Sequence, residues 1–277
     1  MNKDPRIISL APTQTEIIAA LGGFELLAGV TENCDYPEAA GELPAFGSWY
    51  APDLLGVIDA RPDLVCTFGK HQEEMRAALA EAGLQVYHSD PPTVRDSLAT
   101  FREIAALMNR PEAGVALIEG LKERLERVSG AMEGLAWNDR PLVFRIMHWD
   151  PLITVGPGAF QHDVIELAGG CNVMANGSSP YFVCDPAHVR ARNPHAIFLC
   201  EPHIRKLLEE DAEWRKVSAV RSGRIFIFDC GLTCRSGPRI VDMVEGLARA
   251  IHPERAKHLP GEQAEHRRGC SGTCATR

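Results

Sequence analysis

The ten residues CGLTCRSGPR at positions 230–239 combine groups that could bind a metal ion or an anion. Cys230 and Cys234 are separated by three residues, a spacing that zinc sites use when further ligands complete the coordination. Arg235 and Arg239 could form charge-assisted hydrogen bonds with a carboxylate or a phosphate. The stretch by itself therefore leaves three interpretations open: a metal site, an anion site or a simple turn.

The sequence around this stretch predicts that a strand turns into a helix there. An apolar run at 224–229 precedes it, and an amphipathic run at 240–251 follows it. We predict that Ser236 caps the helix and that Pro238 lies in its first turn. Unpaired N–H groups at such a helix start favour an anion, which strengthens the interpretation of Arg235 as a ligand contact.

Other cysteines could complete a metal site. Of the nine cysteines, Cys34 and Cys184 also fall in predicted loops, and three or four thiolates together could hold a soft metal ion or an iron–sulfur cluster. We favour the alternative that these loop cysteines are reduced and bind nothing. Cys66 and Cys200 lie in or directly after apolar runs, so we interpret them as small buried hydrophobic residues.

An enzyme is a competing class of function. His148 and Asp150 follow an apolar run, and with Cys230 or Cys234 they could form a pair of nucleophile and base. The chain contains no G-x-S-x-G elbow, no P-loop and no G-x-G-x-x-G fingerprint. We therefore rank a cysteine/histidine enzyme below a binding protein.

Composition excludes two further classes. The 277 residues are 45% hydrophobic and carry a net charge of −8, whereas nucleic-acid-binding proteins usually present basic patches. No apolar run approaches the roughly 20 residues needed to cross a bilayer, so we predict no membrane insertion. The apolar stretch at the N-terminus is interrupted by polar residues, which predicts a cytoplasmic protein, or a periplasmic one if the start is truncated.

Short apolar runs alternate with helical patterns along both halves of the chain, which predicts parallel sheets covered by helices. The predicted strands lie at 6–10, 26–31, 63–68, 84–89, 141–149, 196–200 and 224–229. The predicted helices lie at 13–23, 72–83, 93–109, 111–136, 159–168, 186–192 and 240–251, with a short helix inside 52–62. Thr13 is the predicted N-cap of the first, and Glu16 would complete its capping box.

An internal echo predicts two related lobes. VIDARPDLVCTFG at 57–69 is similar to HVRARNPHAIFLCEP at 188–202, and each stretch predicts a short helix, a turn and a buried strand. Residues 1–109 would form an N-terminal α/β lobe, 110–138 a connecting helix, 139–258 a C-terminal α/β lobe and 259–277 a disordered tail. A ligand would then bind at the carboxyl ends of the strands, in the cleft between the lobes.

Six motifs, taken together, resemble a known family. They are RIISLAPTQTE (6–16), CDYPEAA (34–40), LPAFGSW (43–49), ARPDLV (60–65), LAGGCNV (167–173) and SGPRI (236–240). Over roughly residues 5–252 their order and spacing are similar to those of the class III solute-binding proteins of ABC importers, which receive cobalamin, haem and iron-siderophores. Their details are most similar to the cobalamin-binding branch.

The resemblance implies two Rossmann-like lobes joined by a long rigid helix, with no catalytic activity. It also implies a metal-containing chelate or macrocycle as ligand, with cobalamin or another corrinoid favoured and with haem or an iron-siderophore as alternatives. The cysteines described above keep an iron–sulfur cluster as a further alternative. The ligand contacts that it assigns are Thr13, Tyr36, Trp49, Tyr50, His148, Trp149, Phe160, Tyr181 and Arg235. Aromatic rings suit a flat macrocycle because they supply rigid contact area. His71 and His203 follow the two echoed strands and could supply a pair of axial ligands.

The chain departs from the family at two positions. Family members that serve a transporter usually carry a glutamate on each lobe that pairs with arginines of the membrane permease. Leu55 and Ala187 stand at these positions, with Asp53 and Asp185 two residues before them. These replacements place an ABC permease partner in doubt and favour a relative that binds its ligand without serving an importer.

Overall fold

The computed structural model describes residues 4–260, which form two α/β units. The first unit contains the chain up to Pro91 together with Arg95–Leu121 and Ser236–Pro238. The second contains Pro92–Val94, Lys122–Arg235 and the chain from Arg239 onward. Most of the tail that we predict to be disordered, at 259–277, lies outside the described residues.

The first unit is built on a four-stranded sheet. Its elements are β1 (Ile7–Ser9), α1 (Pro12–Ala20), β2 (Leu27–Val30), α2 (Leu54–Ala60), β3 (Leu64–Phe68), α3 (Glu73–Glu81), β4 (Val86–Ser89) and α4 (Val94–Leu107). The strands lie in the order β2-β1-β3-β4 and all pair in parallel. Ile8, Val65 and Leu79 are fully buried between this sheet and its helices. Parallel strands with helical connections are what the alternating apolar pattern predicted.

The long helix α5 (Pro111–Ala131) links the two units. Its residues up to Leu121 belong to the first unit and those from Lys122 belong to the second. Pro111 occupies the first helical position, as the sequence predicted. The helix ends at Ala131 and not at 136, since the chain turns directly afterwards and Gly134 adopts a φ of +73° there.

The second unit repeats this architecture with an additional small sheet. Its elements are β5 (Leu142–Arg145), β6 (Ile153–Val155), α6 (Phe160–Leu167), β7 (Cys171–Asn172), β8 (Tyr181–Val183), α7 (Pro186–Arg192), β9 (Ala196–Leu199), α8 (Pro202–Glu210), α9 (Ser218–Arg221), β10 (Ile225–Ile227), α10 (Cys230–Thr233), α11 (Ile240–Ile251) and α12 (Pro253–Ala256). The parallel sheet has the order β10-β9-β5-β7, while β6 and β8 form an antiparallel pair. The pattern predicted neither this pair, whose strands have only three residues each, nor the nine-residue helix α8.

The predicted echo between the halves is visible in the local geometry. Asp53 and Asp185 are the N-caps of α2 and α7, and their carboxylates accept hydrogen bonds from Gly56 N at 3.0 Å and Ala187 N at 2.8 Å. The helices end at Arg61 and Asn193, which both adopt a left-handed conformation. Each helix then leads directly into a buried strand, β3 or β9.

Two predicted N-caps are wrong. Helix α1 begins at Pro12, so Ala11 is its N-cap and Thr13 lies inside the first turn. Proline suits the first helical position, and this moves the start back by two residues. Helix α11 begins at Ile240 with Arg239 as its N-cap, so Ser236 is outside the helix and its buried hydroxyl has no hydrogen-bond partner among residues 4–260. No helix of the described chain has both the length and the hydropathy of a membrane span.

Candidate functional site

Three aromatic side chains meet at the carboxyl edge of the first unit's sheet. Trp49 contacts His71 edge to face with ring centroids 4.0 Å apart, and Tyr50 lies 4.7 Å from Trp49 and 5.7 Å from His71. His71 is supplied by the turn directly after β3, and the two other rings come from the loop before α2. We call these three residues the aromatic cluster. The cluster contains Trp49 and Tyr50, which the resemblance assigns as ligand contacts. It also contains His71, the histidine that follows the echoed strand β3.

Gln72 holds the aromatic cluster in place. Its buried amide donates to Trp49 O at 2.9 Å and to Leu10 O at 2.8 Å, and its Oε1 accepts from Phe68 N at 2.9 Å. Asn33 accepts a further hydrogen bond from Trp49 N at 2.7 Å. The loop that carries Trp49 is therefore fixed to the ends of β1 and β3. Sequence reasoning missed Gln72, since no pattern distinguishes a buried glutamine from an exposed one.

The aromatic cluster favours a neutral imidazole at His71. Partial burial lowers the pKa of His71 from its ordinary value near 6.5, while the Asp90 carboxylate acts in the opposite direction. Burial similarly lowers the pKa of His88, which lies 3.1 Å from the Glu73 carboxylate. A neutral imidazole has a lone pair available for a metal ion or a hydrogen-bond donor.

The other predicted contacts of the first unit differ in exposure. Tyr36 is 47% exposed and Tyr50 is 45% exposed, so both rings can reach a ligand. Thr13 is buried in the first turn of α1. Cys34 is buried as well, and its sulfur contacts Thr15 Oγ1 at 3.2 Å and Thr31 Oγ1 at 3.3 Å. These contacts place Cys34 in the packing of its own unit.

In the second unit, His148 and Trp149 follow β5 and play different roles. The His148 ring is 3.0 Å from Pro151 O, which fixes it within its own turn. Trp149 packs on Trp214 with ring centroids 5.9 Å apart and lies against the hydrophobic core. The structure thus places Trp149 in a packing role, in addition to the ligand contact that the resemblance assigns to it.

Tyr181 and Phe160 lie near one connecting residue, Gln161. The hydroxyl of Tyr181 donates to Gln161 Oε1 at 3.1 Å, and Gln161 Nε2 donates to Thr233 O at 3.2 Å. Tyr181 is nevertheless 46% exposed, whereas Phe160 is buried at the start of α6. Gln161 therefore connects the exposed tyrosine to α10, in the stretch at 230–239.

That stretch forms a compact turn in which Asp229 and Arg239 have structural roles. Asp229 caps α10 by accepting from Gly231 N at 2.7 Å. The Arg239 guanidinium lies so close to Gly231 that an added Cβ would meet its Nη2 at 2.6 Å. Arg239 thus packs on α10, and the role of Arg235 as a ligand contact stays a prediction. Arg235 is half-buried and directly follows Cys234.

The structure assembles a different cysteine set from the predicted one. Cys230 and Cys234 meet Cys200 in a group whose sulfurs all lie within 4.8 Å of one another. Cys34 and Cys184 do not belong to this group. Cys184 is buried in the hydrophobic core, and burial raises the pKa of its thiol to about 11. Cys34 and Cys184 of the predicted four-cysteine set therefore have packing roles, and Cys200, which the sequence predicts to be a buried hydrophobic residue, joins Cys230 and Cys234 in the observed group.

A cavity of about 610 Å³ opens at the other edge of the second unit's sheet. Its lining includes Pro141, His195 and Arg224, which directly precede β5, β9 and β10. Ligands of parallel α/β sheets bind at the carboxyl ends of the strands, and this cavity lies at the amino ends. None of the predicted ligand contacts lines it.

The chain belongs to the periplasmic binding protein family, whose sequence profile matches residues 7–230. This is a family of solute-binding proteins and not of enzymes, in agreement with the absence of a catalytic motif. The class III resemblance and the two-lobed α/β fold with a long linking helix are thereby confirmed.

Two relatives of this chain are similar to it in sequence along most of their length. It is 30% identical over 248 residues to a Vitamin B12-binding protein of Salmonella typhimurium, covering 89% of this chain and 90% of that protein. It is 29% identical over 271 residues to the uncharacterized ABC transporter substrate-binding lipoprotein YvrC of Bacillus subtilis, covering 93% of this chain and 83% of that protein. Both similarities extend over nearly the whole chain.

Solved structures give the same fold. The periplasmic Vitamin B12 binding protein BtuF of Vibrio cholerae is 26% identical, with a TM-score of 0.79 over 92% of this chain and 99% of that one. The periplasmic heme-binding protein BhuT, in complex with two hemes, has the same TM-score of 0.79 at 23% identity. The second similarity concerns the fold alone.

Proposed function

We propose that this protein binds a cobalamin-type corrinoid as a non-catalytic solute-binding protein. The main support for this proposal is the sequence similarity to the Vitamin B12-binding protein of Salmonella typhimurium over 89% of the chain. Haem and iron-siderophores are the alternative ligands, and an iron–sulfur cluster would be a different use of the protein. The cleft between the lobes stays a prediction.

The aromatic cluster supports a flat, rigid ligand. Trp49 and Tyr50 offer ring faces on a loop whose backbone is held at Trp49 by Gln72 and Asn33, so little backbone entropy is lost when a macrocycle stacks on them. His71 provides a neutral imidazole beside these rings. Amide-rich and phosphate groups at the rim of a corrinoid would suit the charge of Arg235.

Titration of the ligand-free protein with cyanocobalamin and with hemin tests the proposal. We expect saturable quenching of tryptophan fluorescence by cyanocobalamin, at one equivalent and with a Kd below about 100 μM, which corresponds to about 5.5 kcal/mol. Binding of hemin with higher affinity, or no saturable binding of the corrinoid, would contradict it.

Two variants and a control locate the contact. Trp49→Ala and Arg235→Ala should each weaken binding by roughly tenfold to a hundredfold, because a ring face or a charge-assisted bond is lost. Trp137→Ala is the matched control, since this tryptophan is 64% exposed and stacks only on Arg140 among the aromatic and cationic contacts of the described chain. Equal losses in all three variants would indicate a general effect on folding.

We further propose that the protein binds its ligand without productive docking to an importer. Leu55 and Ala187 occupy equivalent positions in α2 and α7, and both are exposed. An ABC permease of the same host, reconstituted in vesicles, should therefore show no stimulation of its ATPase by the unmodified protein. The double variant Leu55→Glu/Ala187→Glu should stimulate it. Stimulation by the unmodified protein would restore the importer interpretation, and fractionation of the host tests the predicted cytoplasmic location.

A further inference from the structure

The strand order of the second unit brings three cysteine sulfurs together. Cys200 directly follows β9, and β10 pairs beside β9 and leads into the turn that carries Cys230 and Cys234. Those two sulfurs are 3.6 Å apart, and all three lie within 4.8 Å of one another. The convergence results from sheet topology, because carboxyl ends of neighbouring parallel strands meet at one edge.

A buried arginine faces these sulfurs. Arg145, at the end of β5 on the other side of β9, is fully buried, and its Nη2 lies 3.7 Å from Cys200 Sγ and 3.6 Å from Cys234 Sγ. Its Nη1 donates to Ile146 O at 2.6 Å, which holds the guanidinium in this position. A guanidinium beside a sulfur stabilises the thiolate form, and the thiolate is the form that binds metal.

The spacing of the sulfurs suits one ion. With a metal–sulfur distance of about 2.3 Å, sulfurs around a tetrahedral zinc ion are about 3.8 Å apart. The pair Cys230–Cys234 at 3.6 Å is close to that value, and the third sulfur needs to move by no more than about 1 Å. In a four-iron cluster each cysteine binds a different iron, so its sulfurs are more widely separated than these. A redox pair would require only two sulfurs and would leave Cys200 without a role.

The geometry points to a single-ion site for a thiophilic metal of the zinc type, formed by Cys200, Cys230 and Cys234. Three thiolates and a divalent ion carry a net charge of −1, which the Arg145 guanidinium balances. Cys230 and Cys234 are half-buried, so an ion can enter from their side, and Cys200 forms the buried floor. Three protein ligands leave one coordination position for water or another small ligand.

Zn²⁺ and Co²⁺ test this site in the full chain, with Cys270→Ser/Cys274→Ser as the reference protein so that these two thiols cannot contribute. Under reducing conditions, the metal-stripped reference should bind one equivalent of Zn²⁺. Co²⁺ should give intense sulfur-to-cobalt charge-transfer absorption together with the visible bands of a tetrahedral ion. Cyanocobalamin binding is measured on the same samples, and its presence or absence does not affect this test.

Serine variants in the reference background identify the ligands. Cys200→Ser, Cys230→Ser and Cys234→Ser should each lower Zn²⁺ affinity by at least about tenfold, the size of effect known even for residues that only support metal ligands. Cys171→Ser is the control, since this cysteine is half-buried in the same unit but outside the group. Circular dichroism melting identifies any variant that fails to fold, and the two half-buried cysteines remain testable if Cys200→Ser unfolds.

Three results would overturn the proposal. One is the absence of stoichiometric Zn²⁺ binding by the reduced reference protein. Another is a loss of affinity in Cys171→Ser as large as that in Cys230→Ser. The third is iron and sulfide in anaerobically purified protein at two or more irons per chain, which would identify a cluster in place of a single ion.

Discussion

Gln72 illustrates how one buried side chain can determine whether a binding surface exists before the ligand arrives. Its amide satisfies two carbonyl groups and one N–H group from three different segments. A hydrophobic residue of similar size would fill the volume but would leave those backbone groups without partners. Buried unsatisfied groups cost about 1–3 kcal/mol each, so the loop that carries Trp49 would detach before the sheet unfolds.

We expect Gln72→Leu to lower the free energy of unfolding by about 2–4 kcal/mol and to weaken ligand binding. Chemical denaturation followed by circular dichroism measures the first effect, and fluorescence titration measures the second. Gln85→Leu is the matched control, because Gln85 is exposed in the same unit and should change stability by less than about 0.5 kcal/mol. A Gln72→Leu protein as stable as this control would show that the hydrogen bonds contribute little.

The histidines near the aromatic cluster make stability depend on pH. Burial lowers the pKa of His71 and His88 below about 6.5, so below pH 6.5 the unfolded chain takes up protons that the folded unit resists. Their contribution is therefore complete above pH 6.5 and is lost as the pH falls toward their lowered values. Asp90 has the opposite effect on stability at lower pH. Burial raises the pKa of its carboxyl group, so the folded unit takes up this proton more readily than the unfolded chain does and is stabilised as the pH falls.

We expect the denaturation midpoint to fall between pH 7 and pH 5.5, and the double variant His71→Gln/His88→Gln to show a smaller decrease. Urea titrations at a series of pH values measure both curves. His188→Gln, at an exposed position in the second unit, should leave the slope as it is in the unmodified protein. Identical slopes for all three proteins would mean that other groups cause the pH dependence.

The candidate site combines residues that the sequence pointed to with residues that it did not, and the omissions have a common cause. The motifs around Trp49 and Tyr50 identified both rings through the family resemblance. Arg145 and Cys200 were missed because each lies in or beside an apolar strand, where the pattern indicates only burial. A charged residue inside such a run is still a signal, since a buried arginine requires partners, and here those partners include the cysteine sulfurs.

At the level of elements, one ion-pair network joins α5 and α11 within the second unit. Arg124 donates to both carboxylate oxygens of Glu245, at 2.6 and 3.1 Å, and also pairs with Asp242. Glu245 is fully buried, and its hydrogen bonds raise the pKa of Arg124 further above its usual range. A buried carboxylate of this kind is stable only as long as its partner remains.

Arg124→Met should therefore destabilise the protein by about 3 kcal/mol, because it removes the guanidinium that donates to both side-chain oxygens of the buried Glu245. Arg127→Met, on the exposed side of the same helix, should change little. The double variant Arg124→Met/Glu245→Met should recover much of the loss, since hydrophobic replacement of a buried pair is often neutral. Thermal melts of the unmodified protein, Arg124→Met, Glu245→Met and the double variant measure this cycle, and additive losses in the double variant would contradict it.

The order of strands and helices could be predicted from the alternation of apolar runs, whereas their ends could not. Thr13 and Ser236 have the right chemistry for N-caps, but proline at position 12 and the turn before Ile240 determine where the helices start. The short pair β6–β8 has no periodicity long enough to detect. Element ends depend on contacts made after folding, and the sequence pattern does not contain those contacts.

At the level of the whole molecule, ligand binding should appear as thermal stabilisation. A ligand present at 100 times its Kd adds about 2.7 kcal/mol, which for a chain of this size corresponds to roughly 5–10 °C in Tm. We expect cyanocobalamin to raise the Tm by this amount and the Trp49→Ala variant to show a smaller shift at the same concentration. Differential scanning calorimetry measures both, and an unchanged Tm at saturating corrinoid would contradict the proposed ligand.

The assignment of Ser236–Pro238 to the first unit has a consequence for synthesis on the ribosome. Gly237 lies against the start of α1, so close that an added Cβ would be 3.3 Å from Glu16 Oε2. At about 5–20 residues per second, Pro238 is synthesised roughly 6–23 s after Leu121. Most of the first unit is therefore synthesised before its last segment, Ser236–Pro238. We expect stalled chains that end before Ser236 to be cleaved by protease near α1 more readily than the released full-length chain. Equal protection of both lengths would show that the early unit is complete without that segment.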